Sequence, residues 1–273
     1  MLSGVTFGQY FPGASPLHKM DPRVKIILLI VQIVMIFLSS NLVALGIVVL
    51  SVFVLIGLAG VPVRMYARTL KSIWLIIALT AVLNAVYVSG HPLLNLGFVT
   101  ITREGLIRAG FMAARIILLI VTSAILTYTT TPTALTDAIE SLLSPLKHIG
   151  LGEQVHTLAM MMTIALRFIP TLMEETDKIM SAQKARGSDT DSGNLLSRVR
   201  ALLPILVPLL VSSFRRAHDL ADAMECRCYT GGKGRTRMKQ LHATRLDYVA
   251  AAVFLVVAAA VVCSCILLPS LLT

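Results

Sequence analysis

Two arginines stand at matching positions near the ends of two predicted helices, and their side chains are suited to anion recognition. Arg186 follows Ala182 by four residues, and Arg227 follows Ala223 by the same spacing, 41 residues further along the chain. A cation in the last helical turn also complements the helix dipole, and Gly187 is an ordinary residue for a helix end. A projecting arginine is equally suited to bind carboxylates or carbonyls of a docked partner. The repetition favours docking.

Other residues of reactive type lack the spacing that their chemistry needs. Cys226 and Cys228 carry metal-binding side chains, but His218 and His242 do not complete a recognised zinc spacing. The basic segment 231–237 lacks the glycine spacing and the Lys-Ser/Thr pair of a nucleotide-binding P-loop. No Ser-His-Asp set, carboxylate pair or His-Glu-x-x-His motif has a catalytic spacing. These spacings therefore indicate no catalytic centre, nucleotide site or metal site, and we expect no cofactor in this chain.

Two further arginines lie in apolar surroundings. Arg115 interrupts an apolar run, where a charge is costly unless it is paired or lies near the membrane interface. Arg167 precedes Pro170 by three residues, at the change from the apolar to the amphipathic half of a predicted helix. We expect Arg115 to serve structure or assembly, and Arg167 with Pro170 to anchor an elbow in that helix.

The composition excludes an ordinary soluble domain. Of 273 residues, 56% are hydrophobic and 14% are charged, with a mean hydropathy of +0.82. Soluble domains carry about 25% charged residues. The net charge of +10 indicates cytoplasmic loops beside anionic membrane lipid, or a surface for acidic partners, rather than a nucleic-acid partner.

Apolar runs predict an all-α integral membrane protein with about five transmembrane helices. The runs are 26–39, 42–60, 73–88, 109–128 and 248–268. A span needs about 20 mainly apolar residues, so the first and third runs are short. Fifteen Lys and Arg residues between 129 and 245 place that region, and the N-terminus, in the cytoplasm and the C-terminus outside. The predicted divisions are 1–128 (four spans), 129–245 (cytoplasmic helices) and 246–273 (the last span).

The region 129–245 predicts a short helix from Pro132 and two long helices, at about 153–186 and 195–227. Both long helices begin apolar and become amphipathic. Their apolar stripes include Met173, Ile179, Met180, Phe214 and Met224. We expect these stripes to pack helix on helix and against a membrane partner, since methionine-rich surfaces adapt to changing partners. Burial of the stripes within this chain alone is the alternative for each residue.

Seven sequence segments together resemble one family, the transmembrane T component of energy-coupling factor (ECF) transporters, the EcfT/CbiQ family, and the resemblance extends over nearly the whole chain. The segments are Ser15-Pro-Leu-His-Lys-Met-Asp-Pro-Arg-Val-Lys25, Thr130-Thr-Pro132, Leu143-Ser-Pro-Leu146, Ala165-Leu-Arg-Phe-Ile-Pro170, Ala182-Gln-Lys-Ala-Arg-Gly187, Arg216-Ala217 and Ala223-Met-Glu-Cys-Arg-Cys-Tyr229.

The resemblance implies specific partners in a bacterial cell membrane. In that family, two X-Arg-X signatures end coupling helices that dock on a pair of ATP-binding-cassette (ABC) subunits. They carry over to Ala185-Arg186-Gly187 and Cys226-Arg227-Cys228, where cysteines replace the more typical Ala and Gly. A small membrane protein, the S component, binds the vitamin or metal ion. ATP and Mg²⁺ then belong to the partner subunits, and this chain transmits motion between them.

Two other functions remain alternatives at the level of sequence. An integral-membrane enzyme acting on lipid needs clustered carboxylates or histidines at the interface, and a solvated helix face explains the acidic cluster Glu174, Glu175 and Asp177. An autonomous channel needs polar groups along its spans, and few occur beyond Arg115 and Asn84.

The charge asymmetry makes a testable prediction of topology. Single cysteines at Ser40, Gly193 and Thr273, in a cysteine-free background, should react with an impermeant thiol reagent from outside, inside and outside respectively. Labelling in sealed cells and in inverted vesicles checks this. External labelling at position 193 would overturn the assignment.

Overall fold

The computed structural model describes residues 10–87, 92–95, 100–145, 150, 152–187, 195–231 and 242–267. Helices dominate these residues, which confirms the all-α class, and a short antiparallel hairpin lies between the fourth and fifth helices. The elements are α1 (Pro16–Lys19), α2 (Pro22–Leu38), α3 (Leu42–Ala59), α4 (Val63–Tyr87), β1 (Pro92–Asn95), β2 (Thr100–Thr102), α5 (Arg103–Thr129), α6 (Pro132–Leu142), α7 (Gly152–Ala185), α8 (Leu195–Cys226) and α9 (Arg245–Leu267).

Five helices among the described residues are long and apolar enough to cross a membrane: α3, α4, α5, α7 and α9. The number agrees with the prediction, but the membership differs. The first predicted span corresponds to α2, whose 17 residues are at the lower limit for a bilayer. The helix α7, predicted to be cytoplasmic, has the required length and composition. The helix that contains the third predicted span, α4, begins at Val63, ten residues before the predicted start at residue 73. It continues without a break through Arg64, Arg68 and Lys71.

The chain forms two compact units. One contains residues 132–238, and the other contains residues 9–131 together with 239–273. The second unit is built around α5, which packs against α2, α3 and α4, while α9 packs against α2 and α3. Its core includes Ile36, Val48, Ile125 and Val261. Large apolar side chains such as those of Phe53 and Leu255 are exposed on this unit, as expected of surfaces that face lipid.

Asp247 joins the start of α9 to the start of α2. It lies in the first turn of α9, is only 2% exposed, and accepts hydrogen bonds through both carboxylate oxygens. Oδ2 accepts from the backbone N–H of Thr244 (2.6 Å) and from its hydroxyl (2.9 Å), while Oδ1 accepts from the N–H of Asp21 (3.0 Å). Asp21 in turn caps α2 by accepting from the N–H of Arg23. One buried carboxylate therefore ties segments 226 residues apart.

Two cations of this unit bind the C-terminal ends of helices. The ammonium of buried Lys25 donates to the carbonyl of Thr129 (3.0 Å) and the hydroxyl of Thr130 (3.2 Å), at the end of α5. Arg115 Nη2 donates to the carbonyl of Ser39 (2.8 Å), the residue that caps α2. A cation here complements the helix dipole and satisfies a carbonyl that has no helical donor. Arg115 therefore binds the C-cap residue of α2, and the structural or assembly role expected of it stays a prediction.

The Asp247 junction predicts a large cost for an isosteric change. Asp247→Asn keeps the volume but removes the charge and replaces one accepting oxygen with an amide donor. We expect the free energy of unfolding to fall by about 2–4 kcal/mol, as buried donors lose a charged acceptor. Thermal unfolding of the purified chain in lipid nanodiscs measures this. Asp219→Asn, on an exposed position of α8, is the matched control, and equal midpoints for the two variants would contradict the junction's importance.

Candidate functional site

The functional residues named from the sequence lie largely on α7 and α8, within the unit formed by residues 132–238. The predicted stripe of α7 is half-buried as expected and comprises Leu172, Met173, Thr176, Ile179, Met180 and Gln183. Glu174, Asp177, Lys178 and Lys184 are exposed on the opposite side. The 3.6-residue periodicity of the sequence thus identified the covered face of α7.

The covered face of α8 includes only part of its apolar stripe. The helical spacing of the sequence places Leu210, Ala217 and Ala221 in one stripe with Phe214 and Met224, and of these only Met224 is half-buried while the others are exposed. The covered residues of α8 include Ile205, Leu209, Arg216 and Leu220 as well as Met224. The apolar surface of α8 is wider than one contact with α7 can cover, so hydrophobicity alone did not identify the side that faces α7.

An exposed apolar face remains on the N-terminal half of α8. It consists of large side chains that are each more than half exposed: Leu202, Leu203, Leu206, Val207, Leu210, Val211 and Phe214. We call this set the α8 apolar face. A contiguous exposed surface of this kind marks a site of interaction with protein or membrane.

Two directional contacts join α7 to α8 and define how the helices run. Arg216 Nη2 donates to Glu175 Oε2 at 2.9 Å. Gln183 Nε2, eight residues later in α7, donates at 3.3 Å to the carbonyl of Pro204, twelve residues earlier in α8. The helices are therefore antiparallel through this contact, and their C-terminal ends point in opposite directions.

The Pro204 contact follows from a local feature of α8. In a regular helix, the carbonyl of residue 204 accepts from the N–H of residue 208. Residue 208 is a proline and has no N–H, so the carbonyl of Pro204 loses its helical donor. Gln183 supplies a replacement from α7. The proline pair of α8 thus creates an acceptor for its neighbour.

The C-terminus of α7 presents Arg186 immediately after the last helical residue, Ala185. Gly187 follows in the left-handed conformation, with φ of 82°, and its N–H donates to the carbonyl of Lys184 (3.0 Å). Glycine adopts this conformation without steric cost and commonly ends helices.

The C-terminus of α8 has the same construction without glycine. Cys228 takes the left-handed conformation, with φ of 55°, directly after Arg227. Its N–H donates to the carbonyl of Glu225 (2.8 Å), and the N–H of Tyr229 donates to that of Met224 (3.0 Å). These are the two bonds of a Schellman motif. Arg186 and Arg227 therefore occupy the same position, between the last helical residue and a left-handed residue.

Both arginine side chains are exposed and available. Arg186 and Arg227 are exposed, as are their neighbours Ala185, Gly187, Cys226 and Cys228. Within the described ranges, neither guanidinium takes part in an ion pair; the pairs found are Glu175–Arg216 and Glu140–His156. Backbone donors already satisfy carbonyls at both helix ends. The arginines are thus not needed as caps.

Arg167 and Pro170 lie on α7, which continues as one helix through both. Both residues are exposed. Pro170 removes one helical hydrogen bond, because it has no N–H. The elbow that the sequence suggested at this point is therefore a position of weakened hydrogen bonding inside a continuous helix.

The ion pair between Glu175 and Arg216 was missed by sequence reasoning. In the sequence, Glu175 belongs to an acidic cluster that a solvated helix face explains, and Arg216 occurs only in a segment of the family resemblance. The signal was present, because Glu175 and Arg216 are related by the same 41-residue offset as the two terminal arginines.

Comparison with known proteins identifies the family. Residues 13–238 match the family model CbiQ, described as cobalt transport protein. The chain is 50% identical over 241 residues to the energy-coupling factor transporter transmembrane protein EcfT of Acidaminococcus fermentans, which covers 88% of this chain and 89% of that protein. It is 51% identical to the EcfT proteins of Ruminiclostridium cellulolyticum, over 90% of this chain and 92% of the relative, and of Clostridium kluyveri, over 92% and 93%.

These matches span both arginine-tipped helices and the helices that precede them. They agree with the resemblance drawn from the sequence motifs. The chain belongs to the family of transmembrane components of energy-coupling factor transporters.

Proposed function

We propose that this chain transmits ATP-driven motion from two ABC-type ATPase subunits to a membrane-embedded S component, for uptake of vitamins or other micronutrients, including metal ions. The observation that carries the proposal is the pair of antiparallel helices whose opposite ends each present an exposed arginine in the same backbone geometry. Two arginine tips of similar backbone geometry that point in opposite directions suit two copies of one kind of docking groove.

The capping geometry supports a docking role for the arginines over a role in helix stability. The carbonyls near each tip accept from backbone N–H groups, and no ion pair among the described residues involves either guanidinium, so its five donors can bind another molecule. A planar guanidinium binds a carboxylate through two parallel hydrogen bonds, which gives strength and fixed orientation. We propose that Arg186 and Arg227 each bind carboxylates or main-chain carbonyls in a groove of one ATPase subunit.

The α8 apolar face supports a contact with the S component. The S component is proposed to be a hydrophobic membrane protein, and this face offers it seven large exposed side chains. Phe214, at 61% exposed, is the largest of them. Met173, Ile179, Met180 and Met224 are half-buried, so we assign them to contact between α7 and α8. The predicted partner surface is thus divided between α8 and the interior of the pair.

The charges of α7 support a cytoplasmic location for this unit in a bacterial cell membrane. The C-terminal half of α7 carries Glu174, Glu175, Asp177 and Lys178 in close succession. Charged groups at the centre of a bilayer cost several kcal/mol each, about 2.5–3.5 on insertion scales. In this proposal ATP and Mg²⁺ bind to the ATPase subunits and the transported substrate to the S component, and this chain is not an enzyme.

Substitution of the arginine tips tests the docking role. The tagged wild-type chain should co-purify with two ATPases and a small hydrophobic protein. Arg186→Ala or Arg227→Ala should weaken ATPase binding by about 2–5 kcal/mol, because each leaves buried partner groups unpaired. The lysine variants should be nearly as impaired, since an ammonium cannot form the bidentate contact.

A dipole role gives the opposite pattern. Lysine would then replace arginine without loss, and alanine would cost only about 0.3–1 kcal/mol of helix stability. The measurements are ATPase co-purification, ATP hydrolysis, and cellular accumulation of radiolabelled vitamins and cobalt(II). Full accumulation by the double alanine variant would remove both arginines from the mechanism.

The α8 apolar face makes a separate prediction. Phe214→Glu should release the S component while the ATPases stay bound, because a carboxylate on this face must be desolvated on contact. Arg215→Glu places a carboxylate one residue away, on another exposed side of α8, with an even larger change of net charge (about −2 against −1), and should retain the S component. Met173→Glu should instead lower the thermal stability of the chain. Retention of the S component by Phe214→Glu would contradict the assignment.

A further inference from the structure

The ion pair between Glu175 and Arg216 has a symmetrical position in the helix pair. Glu175 precedes Arg186 by 11 residues, and Arg216 precedes Arg227 by 11 residues. Eleven residues of helix measure about 16 Å and make just over three turns. Each member of the pair therefore lies at the same distance from its arginine tip and on nearly the same side of its helix.

The Glu175–Arg216 ion pair is a polar contact within a helix interface that is otherwise mostly apolar. Covered neighbours on α7 and α8 are mostly apolar, such as Ile179, Leu209 and Leu220. Apolar contact has no preferred direction, so it holds two helices together without fixing their register or crossing angle. The charged hydrogen bond at 2.9 Å is directional, and its side chains are only 35% (Arg216) and 26% (Glu175) exposed. Partial desolvation strengthens it relative to a surface pair.

The second directional contact is weaker. Gln183 donates to Pro204 with neutral groups at 3.3 Å in an exposed position. Neutral hydrogen bonds are about half as strong as charged ones. One strong contact and one weak contact fix a crossing point while they leave the crossing angle adjustable.

The tip of α8 and its apolar face lie on opposite sides of the ion pair. Arg227 lies 11 residues after Arg216. The α8 apolar face begins 14 residues before Arg216 and ends 2 residues before Arg216. A rotation of α8 about Arg216 therefore moves the tip and the apolar face in opposite directions by similar distances. If the crossing point were not fixed, displacement of the tip would slide α8 along α7, and the α8 apolar face would not tilt.

We infer that the Glu175–Arg216 pair is the pivot of the two helices, a positioning contact that converts displacement of the arginine tips into tilting of the α8 apolar face. The inference rests on the proposed docking of the tips on two ATPase subunits. Glu175 and Arg216 touch neither substrate nor nucleotide; they act through the helices that they pin.

Distance measurements between spin labels test the pivot in the chain itself. Ser181→Cys and Asp222→Cys place labels at exposed positions, each five residues before a tip, in a full-length chain whose four native cysteines are serines. In lipid nanodiscs we expect one narrow distance distribution. Glu175→Gln and Arg216→Gln should each at least double its width.

Matched controls lie one residue away on each helix. Glu174→Gln and Arg215→Gln remove the same charges at exposed positions and should retain the narrow distribution. The charge swap Glu175→Arg with Arg216→Glu re-forms the ion pair in the opposite direction and should restore most of the narrow distance distribution. This expectation also holds if one of the single variants unfolds. A narrow distribution in both single variants, or no restoration by the swap, would overturn the pivot.

A second measurement uses the complex purified with its ATPase subunits. Addition of MgATP and vanadate should shift the label distance in the wild type and in both controls. In Glu175→Gln the ATPases should remain bound, while the shift falls at least threefold. An undiminished shift in Glu175→Gln would overturn the pivot but not the proposed function. Failure of the ATPases to co-purify with the wild-type chain would overturn the proposed function, and the widths of the label distances in the isolated chain would still test the ion pair.

Discussion

Helix ends leave backbone groups without helical partners, and the way each end is satisfied organises this structure. Inside the unit that contains α2, α5 and α9, charged side chains perform this task. Lys25 binds the end of α5, Arg115 binds the end of α2, and Asp247 accepts hydrogen bonds at the starts of α9 and α2. Each charge sits at the helix end whose dipole it complements. Because lipid offers no hydrogen bonds, these contacts must be internal, which explains why charged residues persist in so apolar a chain.

The ends of α7 and α8 are satisfied differently, and this difference carries the functional argument. Backbone N–H groups of left-handed residues bind the carbonyls there, so the adjacent arginines are left exposed. An arginine that caps a helix end, as Arg115 does, is bound to its own chain. An arginine beside a helix end that is already capped does not need to bind its own chain, so it can bind another protein chain. Arginine thus occurs in two settings in one protein, bound within the chain at Arg115 and exposed at Arg186 and Arg227, and the local backbone decides between them.

The sequence predicted most of the helices and both arginine tips, and it failed where several surfaces compete. Hydropathy located the long helices because apolar length and periodicity are strong signals. It placed the start of α4 too late, since Arg64, Arg68 and Lys71 are good helix formers that hydropathy reads as loop. On α8 it gave a stripe that includes Phe214 without telling which side faces α7 and which faces a partner; Leu209 and Leu220 are half-buried and Phe214 is exposed. Periodicity gives the apolar side of a helix, but a partner helix covers only part of a wide one. The Glu175–Arg216 pair forms on the side of α8 that faces α7, and the sequence did not identify that side, so the pair was missed.

Cys228 shows what the two tips have in common. A left-handed backbone costs a residue with a Cβ atom about 1–2 kcal/mol, and Gly187 avoids this cost while Cys228 bears it. The Schellman bonds from Cys228 and Tyr229 offset part of it. The two helix ends therefore reach one geometry through different residues and at different energies. The flanking residues vary, whereas the arginine keeps its place relative to the last helical carbonyls. A docking groove that recognises a guanidinium held at that place can accept either tip, since it depends on the backbone that positions the arginine and not on the side chains beside it.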